Sequence, residues 1–389
     1  MGYKVLSDAA YTVVARRAGA AGSATHIGEQ REREGKGLHP LVDPSGYDVI
    51  RRSISRFNPE DDHFVLPCGV AMLEETRLDT TGSMGNNVEI AMRVLPATYK
   101  LLAAGANAVL GRYDTQMITS IFGDVCDKYV LCRSQAEMDE KIAEQMTFMV
   151  PEGDGGDATE DPQYGFFGGA YLTWSNINPY GLKYYDFTVS DADCRMRLDP
   201  ETLIRVFGSS VFEKAVENGH QISRKNIPDT KEVVADLQKR AHAFFLQVGA
   251  SSGITRFWKA VFGEDHVIII PRTELLPHVK AAVIGLTEGV LDLQMVEEFL
   301  LGAQEDESFI GYTTKIDRGD ARKIRDAIRG IPIGAQAALS NFSKIPLRGA
   351  RFAKKGDIWP VGNTEEVKRE SGAKEKKAPG GKKKGSMWL

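Results

Sequence analysis

Apolar and polar positions in the middle of this chain alternate between two periods. Val88, Ala91, Met92, Leu95 and Leu102 fall on one face at helical spacing. They predict a helix starting at Asn86, a residue suited to capping. Pro96 predicts a kink or break inside it. Strand-like segments stand on either side. FVLPCGVAMLEETRLD ends in a first strand, QMITSIFGD (116–124) reads as a second, and KYVLCRS (128–134) as a short neighbour. KYYDFTVSD (183–191) is the next strand and HVIIIP (266–271) a last short one. Helical patterns fill the gaps: EMDEKIAEQMTFM, an apolar helix over 164–174, a mostly helical region over 199–262, and a helix from about Thr273 across Pro277 toward Leu301. Within the helical region, the paired Phe244–Phe245 fits a core-facing helix side. Strands separated by helices predict an α/β fold, a doubly wound and mostly parallel sheet with helical insertions. Such sheets bind ligands at the carboxyl ends of their strands.

The pattern weakens at both ends. Residues 1–63 lack a core pattern, and ARRAGAAGSATHIGEQREREGKG reads as a solvated arm and linker. The α/β domain is expected over 64–302, with a C-terminal extension over 303–363. Residues 364–389, lysine-rich and of low complexity, are expected to be a disordered basic tail.

Composition changes this picture little. The chain has 389 residues, 42% hydrophobic and 26% charged, with a formal net charge of -4. That is enough for a sizeable core, and it gives no global attraction to nucleic acid. No apolar run approaches the roughly 20 residues needed to cross a bilayer, so no membrane partner is expected. No signal pattern opens the sequence, which makes a cytoplasmic protein the expectation. The four cysteines lack zinc-ligand spacing and read as reduced thiols; a Cys126–Cys132 bridge is the competing reading.

Three polar loops carry the candidate chemistry. The first, Asp79-Thr80-Thr81-Gly82-Ser83, follows the first strand. Side chains at alternate positions of such a turn can converge, so Asp79, Thr81 and Ser83 would present three oxygens to one centre. The second, Gly155-Gly156-Asp157-Ala158-Thr159-Glu160, offers Asp157, Thr159 and Glu160 ahead of an apolar helix. The third, Ser190-Asp191-Ala192-Asp193, ends the strand at 183–191. Oxygen-only ligands, several of them neutral, suit a hard divalent cation such as Mg²⁺, with Mn²⁺ or Ca²⁺ as substitutes. Asp124 in FGDVCD and Asp193 read as a strand end and a turn residue. The scattered histidines read as surface or core residues.

LDTTGSM resembles the metal-ion-dependent adhesion site (MIDAS) of von Willebrand factor A (vWA) domains, whose first loop reads Asp-x-Ser/Thr-x-Ser. All three defining positions match. GGDATE resembles the second loop of a subset that uses glutamate, which makes Glu160 the matching ligand and Thr159 the candidate for the threonine variant. Asp191 matches the third-loop aspartate. The resemblance covers 64–302. It implies that the metal keeps one open position, filled by an Asp or Glu carboxylate of a partner protein. Stand-alone intracellular members resemble adaptors for AAA+ ATPases or scaffolds, so the implied function is binding rather than catalysis.

Two departures stand out. The first strand carries Glu74, Glu75, Thr76 and Arg77, where the family is apolar. Glu75, Arg77 and Asp79 share a face, so either a buried Glu75–Arg77 pair forms or the strand starts late, near Arg77. The region after Asp191 is also long. Two other functions compete. One is RNA association through the arginine-rich stretch 318–355 and the lysine tail. The other is a metal-dependent phosphoesterase using Asp79, Asp157, Glu160 and Asp191, for which no general base stands out.

Overall fold

The computed structural model describes residues 24–46, 56–60, 62–66, 69–103, 109–110, 114–138, 141–151, 159–302, 316–336, 344–354 and 357. Their strands are β1 (Arg56–Asn58), β2 (His63–Val65), β3 (Ala71–Asp79), β4 (Asp114–Phe122), β5 (Leu131–Arg133), β6 (Tyr184–Ser190), β7 (Ala241–Gln247), β8 (Val267–Ile269) and β9 (Arg351–Phe352). Six form the central sheet, in the order β5-β4-β3-β6-β7-β8. The pairs are parallel except β4–β5, which is antiparallel. β1, β2 and β9 form a small antiparallel sheet.

The chain enters the central sheet at β3 and steps outward to β4 and β5. It then returns to β6 on the other side of β3 and steps the opposite way to β7 and β8. This is a Rossmann-like order, and helices flank the sheet. A crevice is expected where the two directions part, beyond the carboxyl ends of β3 and β6.

β3 is buried along its whole length although five of its residues are polar or charged. It starts at Ala71, not late, because each face supplies partners. On one face Lys280 lies 2.9 Å from Glu74, and Thr76 donates to Glu74 at 2.6 Å. Lys280 comes from the helix Leu276–Thr287, which is buried at every position. On the other face Arg133 of β5 grips Glu75 with two bonds of 2.8 Å. Arg77 pairs with Asp186 of β6 and approaches Glu75 at 3.2 Å. Burial alone would push the Glu75 carboxyl up, but Arg133 and then Arg77 outweigh it and hold it low. The helix Gln163–Phe167 continues as a π-helical turn over Gly168–Leu172 above this ladder. A Cβ on Gly165 or Gly169 would come within 2.5 Å of the Arg77 side chain, so both glycines make room for it.

Several expectations change. The region 199–262 contains a full core strand, β7, so Phe244 and Phe245 lie on a strand and not on a helix. A short, continuous apolar run has no periodicity that separates strand from helix. Gly85, at φ 48, holds the N-cap position expected of Asn86. The break at Pro96 is present, between the helices Asn86–Val94 and Ala97–Ala103. The helix expected over 273–301 is two, Leu276–Thr287 and Leu293–Gly302, with Pro277 harmless in the first turn. Residues 24–46 are not a solvated arm but a strap. Their helix His26–Arg33 buries Gly28 against the Met149 carbonyl, Val42 accepts from the Arg133 N–H at 2.9 Å, and Ser45 lies against Gly208. Beyond the expected domain end, the helix Arg318–Ala327 adds Ala321 and Ile324 to the main core, with Ile316, Ile328 and Ile331 beside it. Cys126, Cys132 and Cys194 are free thiols. The tail at 364–389 and Cys68 lie outside the described residues. Among those described, no helix is long and apolar enough to cross a membrane.

Candidate metal centre

Asp79 is the last residue of β3 and Ser190 the last of β6, so the switch in strand order sets them side by side. Thr80 extends the sheet by one bond, donating its N–H to the Phe122 carbonyl at 3.0 Å. The chain then turns through Gly82–Met84, and Gly85 takes the positive φ that lets the helix Asn86–Val94 start.

This turn brings the expected first-loop oxygens together. Asp79 Oδ1 accepts from the Thr81 N–H at 2.9 Å and from the Thr81 hydroxyl at 2.7 Å. Thr81 Oγ1 and Ser83 Oγ are 3.3 Å apart. Ser83 donates across the crevice to Asp191 Oδ1 at 2.7 Å. On the other side Ser190 donates to Asp79 Oδ2 at 2.6 Å. The result is a continuous oxygen chain, Ser190–Asp79–Thr81–Ser83–Asp191, spanning the ends of β3 and β6. Its inner members are buried, and Ser83 is exposed at the rim.

The second loop is tied to the third by a parallel bridge between Glu160 and Cys194. Glu160 donates its N–H to the Asp193 carbonyl at 3.1 Å and accepts from the Arg195 N–H at 3.3 Å. Its side chain is 3% exposed and lies within hydrogen-bond reach of Thr81 and Asp124. Its Oε2 is buried with no hydrogen-bond partner. Burial, then the Asp79 charge, then contact with Asp124 push its carboxyl up to about 9, against the pull of the Thr81 hydroxyl. Asp79 is pushed up to about 6, chiefly by burial, with the hydroxyls of Ser190 and Thr81 opposing. Acids crowded and desolvated in this way want a cation.

Of the expected ligands, then, Asp79, Thr81, Ser83, Glu160 and Asp191 come to one place. Thr159 is half-buried, and its carbonyl accepts from Arg195 Nη1 at 2.9 Å. Asp157 lies outside the described residues. Asp193 contributes its carbonyl to the bridge, as a turn residue does. Asp124, read from sequence as a strand end, is fully buried beside Glu160. Ser190 was equally unremarked as a partner of Asp79. The signal for Asp124 was positional only: it lies two residues past β4, at the same sheet edge.

The fit to a hard divalent ion rests on two observations. The donor set is carboxylates and hydroxyls, and the buried Glu160 carboxyl is crowded by Asp79 and Asp124. Among the described residues no group of three or more His, Cys, Asp or Glu is arranged by itself to hold an ion. A cation here would therefore need the Thr81 and Ser83 hydroxyls as well as the carboxylates. No protein-family model matches this chain, and no curated protein matches it.

Proposed function

We propose that this chain is a vWA-like, Mg²⁺-dependent protein-interaction module. Asp79, Thr81, Ser83, Glu160 and Asp191 are the proposed ligands, and Mn²⁺ or Ca²⁺ could substitute. The observation that carries the reading is the crowding of the buried Glu160 carboxyl with Asp79 and Asp124, beside a chain of hydroxyl and carboxylate oxygens at the switch point of the sheet. The ion would replace the hydrogen bonds that now link Ser83 to Asp191 and Thr81 to Asp79. One position is left for an outside ligand, and an Asp or Glu carboxylate of a partner protein fits it as a hard anion. The helix Asn86–Val94 begins at this edge, so its N-terminal amides add a positive potential that favours an anion there.

Thermal melting of the wild type and of Asp79→Ala, each in Mg²⁺ or in EDTA, tests the reading. A ligand that binds only the folded state stabilises it by about 2.7 kcal/mol at a hundredfold excess over its dissociation constant. Mg²⁺ is expected to raise the wild-type melting temperature and leave Asp79→Ala unmoved. Equal response of the two proteins, or none in either up to millimolar Mg²⁺, would sink it.

A further inference from the structure

We propose that Arg195 is a positioning residue of the metal centre, one whose guanidinium fixes Glu160 as the second-loop ligand. This rests on the metal reading above. Arg195 lies four residues past Asp191, on the third loop. Its Nη1 donates to the Thr159 carbonyl at 2.9 Å and to the Asp161 carboxylate, the residues on either side of Glu160. Its own N–H donates to the Glu160 carbonyl at 3.3 Å, and the Glu160 N–H donates back to Asp193 at 3.1 Å. The backbone of Glu160 is thus held on both sides, and its side chain is directed into the crevice toward Thr81 and Asp124.

Asp161 carries the clamp further. Its Oδ2 also accepts from the Val125 N–H at 2.8 Å, and its Oδ1 accepts from Gln163 at 2.5 Å. Arg195 Nη1 stands 3.9 Å from Asp124 Oδ1. One guanidinium therefore joins the loop after β4, the second loop and the loop after β6. An exposed ion pair would contribute little. Here the acid is fully buried and the arginine is 31% exposed, so the pair is shielded on one side and accessible to mutation on the other. One nitrogen, Nη1, serves the carbonyl and the carboxylate together. A lysine ammonium keeps the charge and the donors but carries them on a shorter, more flexible stem. The positive charge also sits among Asp124, Glu160 and Asp161, where it offsets their repulsion.

The test uses the full chain as wild type, Arg195→Ala and Arg195→Lys. Mg²⁺ affinity is measured by titration calorimetry. Amide hydrogen exchange at 159–161 is measured in EDTA, a readout that needs no metal. Loss of an outer partner of a metal ligand typically weakens binding by about 10–100-fold. Arg195→Ala is expected to show that loss together with faster exchange at 159–161, and Arg195→Lys to recover part of both. Wild-type affinity in Arg195→Ala overturns the inference. So does weakened affinity with unchanged exchange, which would make the arginine a charge and not a clamp. If the alanine variant fails to fold, the lysine variant carries the same comparison. A wild type that does not bind Mg²⁺ removes the metal reading itself, and that outcome is distinct from the other two.

Discussion

Asp79 and Glu160 make the protein sensitive to pH. Asp79 is raised from 3.8 to about 6 and Glu160 from 4.5 to about 9. In both cases the folded state binds its proton more tightly than the unfolded chain does. Stability is therefore greatest below the unfolded values and is lost as pH rises through the folded ones. Asp186, raised from 3.8 to about 6 by burial against the pull of Arg77, acts in the same direction. Below about pH 6.5 the buried His220 and His242, each lowered to about 4, oppose these acids, so the clear window lies above it: in EDTA the melting temperature is expected to fall as pH rises from about 7 to about 9, and Glu160→Gln should flatten that fall. Mg²⁺ should help most at the alkaline end, where the ligands are ionised. A pH series of melting curves with and without Mg²⁺ checks the sign. At this scale much of the site was legible. Asp79, Thr81 and Ser83 lie on one turn, so their spacing alone brings them together. Asp124, Ser190 and Arg195 were not legible, because their roles come from contacts that cross between strands and loops.

Elements were legible where they had a period. β4 and β6 were expected close to where they lie, and Pro96 broke its helix. β7 was missed because AHAFFLQ is buried on both faces and follows directly on the helix Thr230–Arg240. β3 was ambiguous because its charges are satisfied by Asp186, Arg133 and Lys280, which are distant in sequence. The glycines opposite β3 were likewise silent until Arg77 was placed. Gly169→Ala would put a Cβ 2.5 Å from Arg77 Nη2 and 3.1 Å from Leu237 Cδ1. Such overpacking costs about 1–3 kcal/mol, to be read from urea unfolding. Full wild-type stability in that variant would show that the π-helical turn can shift to absorb the methyl.

At the scale of the molecule, additional chain lies against the β5 edge of the sheet. The strap at 24–46 lies along β5, where the Val42 carbonyl takes the Arg133 N–H at 2.9 Å. The segment carrying Arg318–Ala327 packs on the helix Leu293–Gly302 and reaches the turns before and after β8, pairing Asp320 with Arg272 and setting Gly330 next to Asp265. Open strand edges invite pairing with other chains. Deleting residues 1–46 is expected to lower the melting temperature and produce concentration-dependent association, measured by light scattering. A monomer of unchanged stability would show that the strap is dispensable.

The ladder beneath the candidate metal centre has a consequence for how this sequence can change. Glu75 and Asp186 are balanced by Arg77 and Arg133, and Glu74 by Lys280, all deep in the sheet. Losing one member of a buried pair strands the other at a cost of about 3–5 kcal/mol, whereas exchanging both for apolar residues is often neutral. These six positions are therefore expected to change only as linked sets. A lineage can cross from a charged ladder to an oily one only by paired steps, and descendants should keep both members of a pair or neither.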